Sequence, residues 1–331
     1  MQTSKLKTLL IYKYLEEYSD DEHPVSTSEL IDMLEEKKIK AERKSIYADI
    51  KALNEIGCDI ISVRSPKSGF IMASRKFEVP EVRLLIDAVS SAGFITPNKT
   101  QALVEKLESL VSENQAKAMK SQVYCESASK CDNEEIYYII DSLDEAITTK
   151  RKVKFNYKRR NIDKKNQKSY TNKTFTVSPY ALIWKDDHYY LVCNSGKYDN
   201  LLNLRLDRMK KLEILDETIR PMSEVSEYTD YFDTADYSSK MFNMFSGEIN
   251  KVKLLCSLDL REEIMDRFGA KIPLKAFDYD HFETEINAAV SDGLVSWIMQ
   301  YGNKIKVVEP QFLAQMVADK AKAIAEVYLN S

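Results

Sequence analysis

The sequence predicts a multidomain α+β protein, because its hydrophobic periodicity changes along the 331 residues. Residues 1–149 are mostly helical in period, residues 150–220 alternate as strands do, and residues 247–331 mix both patterns. The chain is also longer than one ordinary hydrophobic core requires. Five segments are predicted: 1–76, 77–149, 150–220, 221–246 and 247–331.

Composition indicates a soluble, folded protein, with 44% hydrophobic and 30% charged residues. No run approaches the roughly 18 apolar residues that a membrane helix requires. The first residues lack a signal-peptide pattern, so we expect a cytoplasmic protein without a membrane partner. The five cysteines are scattered and form no C-x-x-C pair, which argues against zinc and against a disulfide framework.

The net charge of −4 conceals a segregation of charge along the chain. Residues 150–173 contain eleven basic residues and one acid, whereas residues 221–331 contain eleven basic and eighteen acidic residues. A polyanion could bind the first region while the acidic part keeps the protein in solution. The overall charge therefore does not exclude nucleic acid as a partner.

The first segment, 1–76, has the order helix, helix, helix, hairpin. Ser26 and Glu29 form the capping-box pattern that begins the second helix, and Gly57 supplies a left-handed cap after the third. Three apolar residues at helical spacing mark the third helix: Ile46, Ile50 and Leu53. Two short strands then flank the basic turn 65–69. This order is typical of a winged helix-turn-helix.

The third helix would present a basic face opposite its apolar stripe, as a helix in the major groove does. Charge alone does not decide, because 1–76 holds thirteen basic and thirteen acidic residues. A solvated face of a small helical domain is the alternative, but the order of elements favours DNA binding. The residues predicted to contact DNA are Arg43, Lys44, Ser45, Tyr47, Lys51, Arg64 and Lys67.

The second segment, 77–149, is predicted to be a helical connector. Its apolar residues lie at helical spacing in three stripes, and Pro80 and Pro97 stand near helix starts. We interpret the stripes as core packing or as a dimer surface, with neither preferred. The polar stretch 120–133 is predicted to be a joint.

The third segment, 150–220, is predicted to form a small SH3-like or Sm-like β-barrel of five short antiparallel strands. The predicted strands are 152–157, 175–178, 181–184, 189–193 and 202–206. The basic residues 158–173 are predicted to form a long hairpin loop, and the polar, acidic stretch 221–246 a linker. The last segment, 247–331, alternates strands and helices, which predicts a compact α+β domain of the ferredoxin-like kind.

Strand alternation in the barrel places Tyr190 on one face and Tyr189 and Leu191 on the other. Arg205 would lie on a polar surface near Arg208. Because an arginine fork suits phosphate and a tyrosine ring can stack on a base, this surface is predicted to bind a flat anion. The alternative is that Arg205 pairs with a nearby acid, such as Asp207, as a structural bridge.

Catalytic and metal-binding patterns are not found. The histidines, His23, His188 and His281, lie far apart and form no H-E-x-x-H pattern. There is no P-loop, no G-x-S-x-G and no G-x-G-x-x-G, and Asp186-Asp187 reads as a turn. We expect no enzymatic activity, no metal site and no cofactor.

With these motifs, the chain resembles the WYL-domain transcriptional regulators of bacteria over nearly its full length. Residues 44–50 read Lys-Ser-Ile-Tyr-Ala-Asp-Ile where the family tends to show Arg-Thr-Ile-x-Arg-Asp-Ile, so Ala48 replaces a basic residue. Residues 178–182 match the family's Pro-x-x-Leu motif, and residues 189–191 occupy its Trp-Tyr-Leu triplet with tyrosine first. Residues 205–208, Arg-Leu-Asp-Arg, match its arginine-bearing signature without change.

The C-terminal part is similar to the WCX extension of the same family, in the spacing of Trp297, Gly302, Val307, Pro310 and Leu313. The resemblance implies a homodimeric, ligand-responsive regulator that binds double-stranded operator DNA and senses a nucleotide or single-stranded nucleic acid in its barrel. The effector-binding residues predicted for this barrel are Ser178, Tyr180, Tyr190, Arg205 and Arg208, with Lys154 from the neighbouring strand.

Two other classes of protein remain open from the sequence. An Sm-like adaptor would bind RNA or a single strand through residues 150–173, and its N-terminal domain would contact protein. An enzyme acting on nucleotides is the third interpretation.

Overall fold

The computed structural model describes residues 2–120, 130–162, 168–229 and 231–329. The chain forms two compact units, Met1–Asp132 and Asn133–Ser331. None of the described helices combines the length and the apolar character that crossing a bilayer requires. The division of the chain into five segments stays a prediction.

The first unit begins with three helices and a hairpin: α1 (Gln2–Tyr18), α2 (Thr27–Glu36), α3 (Arg43–Glu55), β1 (Ile60–Val63) and β2 (Gly69–Met72). The capping box of α2 has formed, because Ser26 Oγ accepts from Glu29 N (3.3 Å) and the Glu29 carboxylate accepts from Ser26 N (2.7 Å). Gly57, just past α3, has a φ of +97°, which a residue with a side chain rarely adopts. The order of elements in residues 1–76 is as predicted.

The orientation of α3 is fixed on its inner side by an apolar core and by a buried carboxylate. Ile46, Ile50 and Leu53 pack with α1, α2 and the hairpin in one apolar cluster. On the same helix the buried Asp49 forms an ion pair with Lys7 of α1 (2.7 Å) and accepts from Thr8 Oγ1 (2.7 Å). Both interactions hold one side of α3 against α1, so its opposite side faces solvent.

Three further helices complete the described part of the first unit: α4 (Val79–Ser91), α5 (Pro97–Glu108) and α6 (Glu113–Lys120). Thr96 caps α5, accepting from Lys99 N at 3.4 Å. Three residues of the apolar stripes, Val82, Ile86 and Val111, are buried in one cluster with Met119, which identifies these positions as core. Most of the joint predicted at 120–133 lies outside the described residues.

The second unit starts with a helix and a five-stranded antiparallel sheet of order β6-β5-β4-β3-β7. The elements are α7 (Ile136–Thr148), β3 (Arg151–Ile162), β4 (Lys168–Lys185), β5 (His188–Asn194), β6 (Leu202–Arg205) and β7 (Met209–Thr218). The hairpin between β4 and β5 turns on Asp186 and Asp187, both with positive φ, as in a type I′ turn.

Three strand predictions for this sheet need correction. Residues 175–178 and 181–184 belong to one strand, β4, with a bulge between Pro179 and Ala181, where a proline lacking an N–H is tolerated. The described residues of 158–173 extend β3 and β4 as a paired hairpin rather than a loop. The fifth strand, β7, was not predicted. Residues 163–167 lie outside the described part of the chain.

Both faces of the sheet are covered. Helix α7 packs on β3, β4 and β7 through its buried stripe. Segment 221–246, predicted as a linker, is folded and contains helix α8 (Thr234–Lys240). Its apolar residues pack on the opposite face of the sheet in one cluster, which includes Val225, Phe232, Tyr237, Met241 and Met244. The Tyr190 face of the sheet is therefore largely apolar and covered, rather than a polar surface.

The last part of the second unit is an α+β layer with the antiparallel order β11-β8-β10-β9. Its elements are β8 (Glu248–Ser257), α9 (Arg261–Phe268), β9 (Leu274–Ala276), β10 (His281–Val290), α10 (Asp292–Gln300), β11 (Ile305–Glu309) and α11 (Gln311–Leu329). Only the short strand β9 was missing from the predicted order. Helices α9 and α10 and the first turns of α11 pack on this sheet over one apolar core.

Candidate nucleic-acid interface and effector site

The exposed side of α3 carries the residues predicted to contact DNA. Arg43, Lys44, Tyr47 and Lys51 are all exposed there. Arg43 Nη2 donates to Tyr47 Oη (3.4 Å), and its guanidinium lies 5.7 Å from the centre of the Tyr47 ring. This hydrogen bond lowers the pKa of Tyr47. The Tyr47 ring meets Phe70 of β2 edge-on at 5.2 Å, so α3 and the hairpin form one continuous surface.

Not every predicted contact residue on this surface is equally available. Ser45 Oγ donates to Glu42 O (2.8 Å) and accepts from Glu42 N (3.3 Å), so Ser45 closes the start of α3. Lys67 is bound to Glu29 (3.0 Å). Arg64 is exposed at the hairpin tip. Within the described ranges, Arg43, Lys44 and Arg64 form no ion pair with a carboxylate, and they therefore carry the uncompensated charge of this surface.

Arg205 and Asp207 form a bidentate ion pair in the second unit. Arg205 Nε donates to Asp207 Oδ1 (2.9 Å) and Nη2 donates to Oδ2 (2.7 Å). Burial alone would lower the pKa of Arg205, but the hydrogen bonds and charge of Asp207 outweigh it and the pKa is raised. The bridge that the sequence left open as an alternative is present, so Asp207 neutralises much of the charge of Arg205.

Tyr190 lies directly across from Arg205 in the β5–β6 pair. Its side chain is only 8% exposed and packs with Ile183 and Val192 in the cluster under segment 221–246. This burial favours packing over base stacking for Tyr190. Arg208, by contrast, is exposed and forms no ion pair with a carboxylate in the described part of the chain.

Tyr157 of β3 joins this site, although no sequence pattern singled it out. Its hydroxyl accepts from Arg205 N at 3.2 Å, which ties the end of β6 to β3. Burial raises the pKa of Tyr157, and hydrogen bonding to Arg205 N and the charge of Arg208 only partly offset this effect. Tyr157 therefore stays a neutral donor and acceptor beside the two arginines.

His188 is a second residue that was not predicted for this site. It precedes Tyr190 by two positions in β5, so alternation alone would have put the two on one face. The His188 ring meets Tyr190 edge-on at 6.2 Å. Burial, and then the charge of Arg205, lowers the pKa of His188 below its ordinary value of 6.5. We call the group Tyr157, His188, Arg205, Asp207 and Arg208 the arginine cluster.

The lowered pKa of His188 predicts a specific pH dependence. Below pH 6.5 the unfolded chain takes up a proton that folded His188 binds less readily, so stability falls as the pH drops through that value. The loss ends once the pH is below the folded pKa. His188→Gln is expected to remove this part of the dependence. Thermal midpoints of both proteins, from about pH 7.5 to about pH 5, measure it, and parallel curves would contradict it.

Three predicted effector residues lie elsewhere. Ser178 Oγ accepts from Arg220 N (2.9 Å) and Tyr180 Oη donates to Arg220 O (2.9 Å), so both hold the chain after β7. Burial raises the pKa of Tyr180 to about 12. Ser178 pairs with Asn194, four residues along β5 from Tyr190, or about 13 Å at strand spacing.

Lys154, the remaining predicted effector residue, is exposed, and its neighbours across the strands are Thr176 and Glu213. Over the described ranges, no group of three or more His, Cys, Asp or Glu residues is arranged to hold a metal ion.

Comparison with known families agrees with this architecture. The model of the WYL domain matches residues 138–214 and the model of the WCX domain matches residues 250–325. The first match spans α7 to β7, and the second spans β8 to α11. The chain is thus a WYL- and WCX-domain protein, and the family resemblance of the sequence is confirmed.

One relative is similar over most of the chain. It is the "Uncharacterized HTH-type transcriptional regulator YobV" of Bacillus subtilis (strain 168), 20% identical over 298 residues, which is 86% of this chain and 89% of that protein. Among solved structures, the proteasome accessory factor B/C (PafBC) of Arthrobacter aurescens matches with 13% identity and a TM-score of 0.29. The match covers 96% of this chain but only 47% of that one.

Proposed function

We propose that the chain is a transcription regulator that binds operator DNA through its first unit and senses an anionic ligand, a nucleotide or short single strand, through its WYL domain. The proposal of DNA binding rests on the exposed surface of α3. Arg43 and Lys44 are exposed without a described carboxylate partner, on a helix whose other side is fixed by Asp49 and Lys7. A preorganised basic helix next to a hairpin suits a major groove and the adjacent backbone.

The order of elements supports a winged helix-turn-helix in residues 1–76, with β1 and β2 as the wing. The similarity to an HTH-type regulator over most of the chain supports duplex DNA as the partner. The strand order of the C-terminal layer, 4-1-3-2 in a βαββαβ sequence of elements, supports the ferredoxin-like description. We further propose an SH3-like barrel for the WYL sheet, a homodimer, which suits a two-fold operator, and no catalytic step.

The ligand half of the proposal rests on the arginine cluster. Arg208 supplies an exposed charge without a described carboxylate partner, and Arg205 lies beside it, held in one geometry by Asp207 and by the bond of its backbone to Tyr157. A phosphate arriving at Arg208 can also draw the guanidinium of Arg205 from its bridge to Asp207. Two arginines in this arrangement suit the closely spaced charges of a nucleotide backbone.

Selection from random duplexes tests the function directly. If the full chain is a regulator, repeated selection is expected to enrich one sequence family, and the two-fold symmetry of a dimer predicts paired half-sites in it. The single-strand adaptor predicts no enriched duplex. It predicts instead single-strand binding that falls when basic residues in 158–168 are neutralised. Enrichment of no duplex together with that result would replace the proposed function.

A further inference from the structure

A cleft in the second unit lies between the five-stranded sheet of the WYL domain and the α+β layer of the WCX domain, and no residue of the arginine cluster lines it. Its volume is about 280 Å³. One wall is Asp186 of the β4–β5 turn, another is the segment Phe242–Asn243, and the third comprises α9 and α10 with Arg267 and Trp297. Ligand pockets commonly measure about 300–1,000 Å³, so this cleft, just below that range, has room only for a small ligand.

Two cations without a carboxylate partner among the described residues lie at or next to this cleft: Arg267 lines it, and Lys185 directly precedes Asp186 of its wall. Arg267 is half-buried, and its Nη2 donates to the carbonyl of Met241 at 2.9 Å. Lys185, also half-buried, reaches only the carbonyl of Ser238 at 3.5 Å. Neither forms an ion pair with a carboxylate in the described chain, and burial together with the charge of Arg267 lowers the pKa of Lys185. Asp186 offsets this effect only in part.

Arg267 is held in place, although it has no carboxylate partner among the described residues. Its guanidinium lies 4.7 Å from the centre of the Phe242 ring, and Phe242 in turn packs on Trp297 at 5.1 Å. The nearby Lys240 is already paired with Asp236 and Glu227, at 2.7 Å each, so it does not share the role of Arg267. A fixed arginine fork beside a second cation is the arrangement that binds multiply charged oxyanions.

The remaining walls supply neutral donors and a strained backbone. Asn243, Ser296 and Gln300 line the cleft, are exposed, and show no hydrogen bond to the described protein. Asn243 and Met244 both have a φ in the left-handed region, 50° and 54°, which costs free energy for residues with side chains. Gly293 of α10 permits this close approach, because a Cβ there would overlap the carbonyl of Phe242.

We propose that this cleft binds a small phosphate ester, with the phosphate between Arg267 and Lys185 and the organic part along Trp297. A phosphate ester has three terminal oxygens and a charge close to −2. It therefore matches the two cations and the three neutral donors better than a carboxylate does. The ligand would contact the β4–β5 turn of the WYL sheet and helices α9 and α10 of the WCX layer at once. No residue of the arginine cluster lines this cleft, although Lys185 pairs with His188 across the β4–β5 turn, and the inference does not depend on the proposed function.

Calorimetric titration of the full chain with phenyl phosphate, with inorganic phosphate and with phenol tests the proposal. We expect saturable binding of phenyl phosphate, weaker binding of phosphate alone and none of phenol. Arg267→Gln is expected to weaken binding about 10- to 100-fold, as expected for loss of a charged hydrogen bond. Arg261→Gln is the matched control, since Arg261 is an exposed arginine of the same helix, and should bind as the unchanged chain does.

A second variant tests the proposal even if Arg267→Gln does not fold. Gln300 is exposed, so Gln300→Glu should fold normally, and its added carboxylate should repel the phosphate and weaken binding by a similar factor. Arg208→Gln should leave this binding unchanged, which separates the cleft from the arginine cluster. The proposal is overturned if no phosphate ester binds saturably at millimolar concentration, if Gln300→Glu binds normally, or if binding is lost in Arg208→Gln instead.

Discussion

Replacing Arg43 and Lys44 together by alanine is expected to weaken binding to a selected operator duplex by about 30- to 20,000-fold. Each contact of this kind with a base or phosphate is worth about 1–3 kcal/mol, and two of them convert to that range. The dependence of affinity on salt should also become shallower, because fewer counterions are released. Fluorescence anisotropy of the labelled duplex at several salt concentrations measures both quantities.

The matched control for this variant removes the same charge from elsewhere in the first unit. Lys76→Ala with Lys106→Ala changes two exposed lysines away from α3 and is expected to shift affinity by less than about threefold, since distant exposed charges are screened. Equal losses in the two double variants would mean that net charge, and not the α3 surface, governs duplex binding.

Opposite effects on anion binding are expected from Arg208→Gln and Asp207→Asn. Arg208→Gln should weaken binding of a short single-stranded oligonucleotide about 10- to 100-fold, because an exposed cation without a described ion-pair partner is lost. Asp207→Asn should strengthen binding, because Arg205 loses the carboxylate that neutralises it at 2.7 Å. Anisotropy titrations with a labelled oligonucleotide of mixed sequence measure both.

Asp199→Asn is the control for the second variant, because Asp199 also pairs with an arginine, Arg220, but outside the cluster. It should bind the oligonucleotide as the unchanged chain does. If Asp207→Asn weakens oligonucleotide binding as Arg208→Gln does, the expectation is contradicted, and anion binding requires the Arg205–Asp207 ion pair. Asp207 would then support anion binding by holding Arg205 in place, and would not compete with the anion for it.

The N-terminal elements were predictable because their signals are local. Ser26 with Glu29, the spacing of Ile46 and Ile50, and Gly57 each determine structure within a few residues. The exposed basic face of α3 followed from the same spacing. The pairing of Lys67 with Glu29 was not predictable, since it joins residues 38 positions apart in sequence.

The sequence did not predict that segment 221–246 packs on the WYL sheet. The buried residues of segment 221–246 follow no fixed period, and the many acids between them resemble those of a linker. Strand β7 was missed for a related reason, because Lys211 has a positive φ and interrupts the alternation. In both cases the tertiary contact, and not the local pattern, determines the structure.

The arginine cluster was predictable in part. Tyr190, Arg205 and Arg208 were predicted to form one binding surface, and Tyr190 and Arg205 are cross-strand neighbours. Alternation within β5 would also have included His188. Alternation does not predict how far solvent reaches a side chain, however. It therefore could not show that Tyr190 is buried while Arg208 is exposed. It also could not choose between a bridge to Asp207 and an unpaired Arg205, because that choice depends on side-chain geometry.

Coupling between an anionic ligand in the WYL domain and duplex binding by the first unit is the central claim. The most direct test is the affinity of the full chain for its selected duplex, measured with and without a saturating short oligonucleotide, in the unchanged chain and in Arg208→Gln. We expect the oligonucleotide to change duplex affinity at least fivefold in the unchanged chain, at the low end of typical couplings of about 1–3 kcal/mol. The variant should keep its ligand-free duplex affinity and lose the response. A duplex affinity that saturating oligonucleotide leaves unchanged, or a full response in Arg208→Gln, would contradict this coupling.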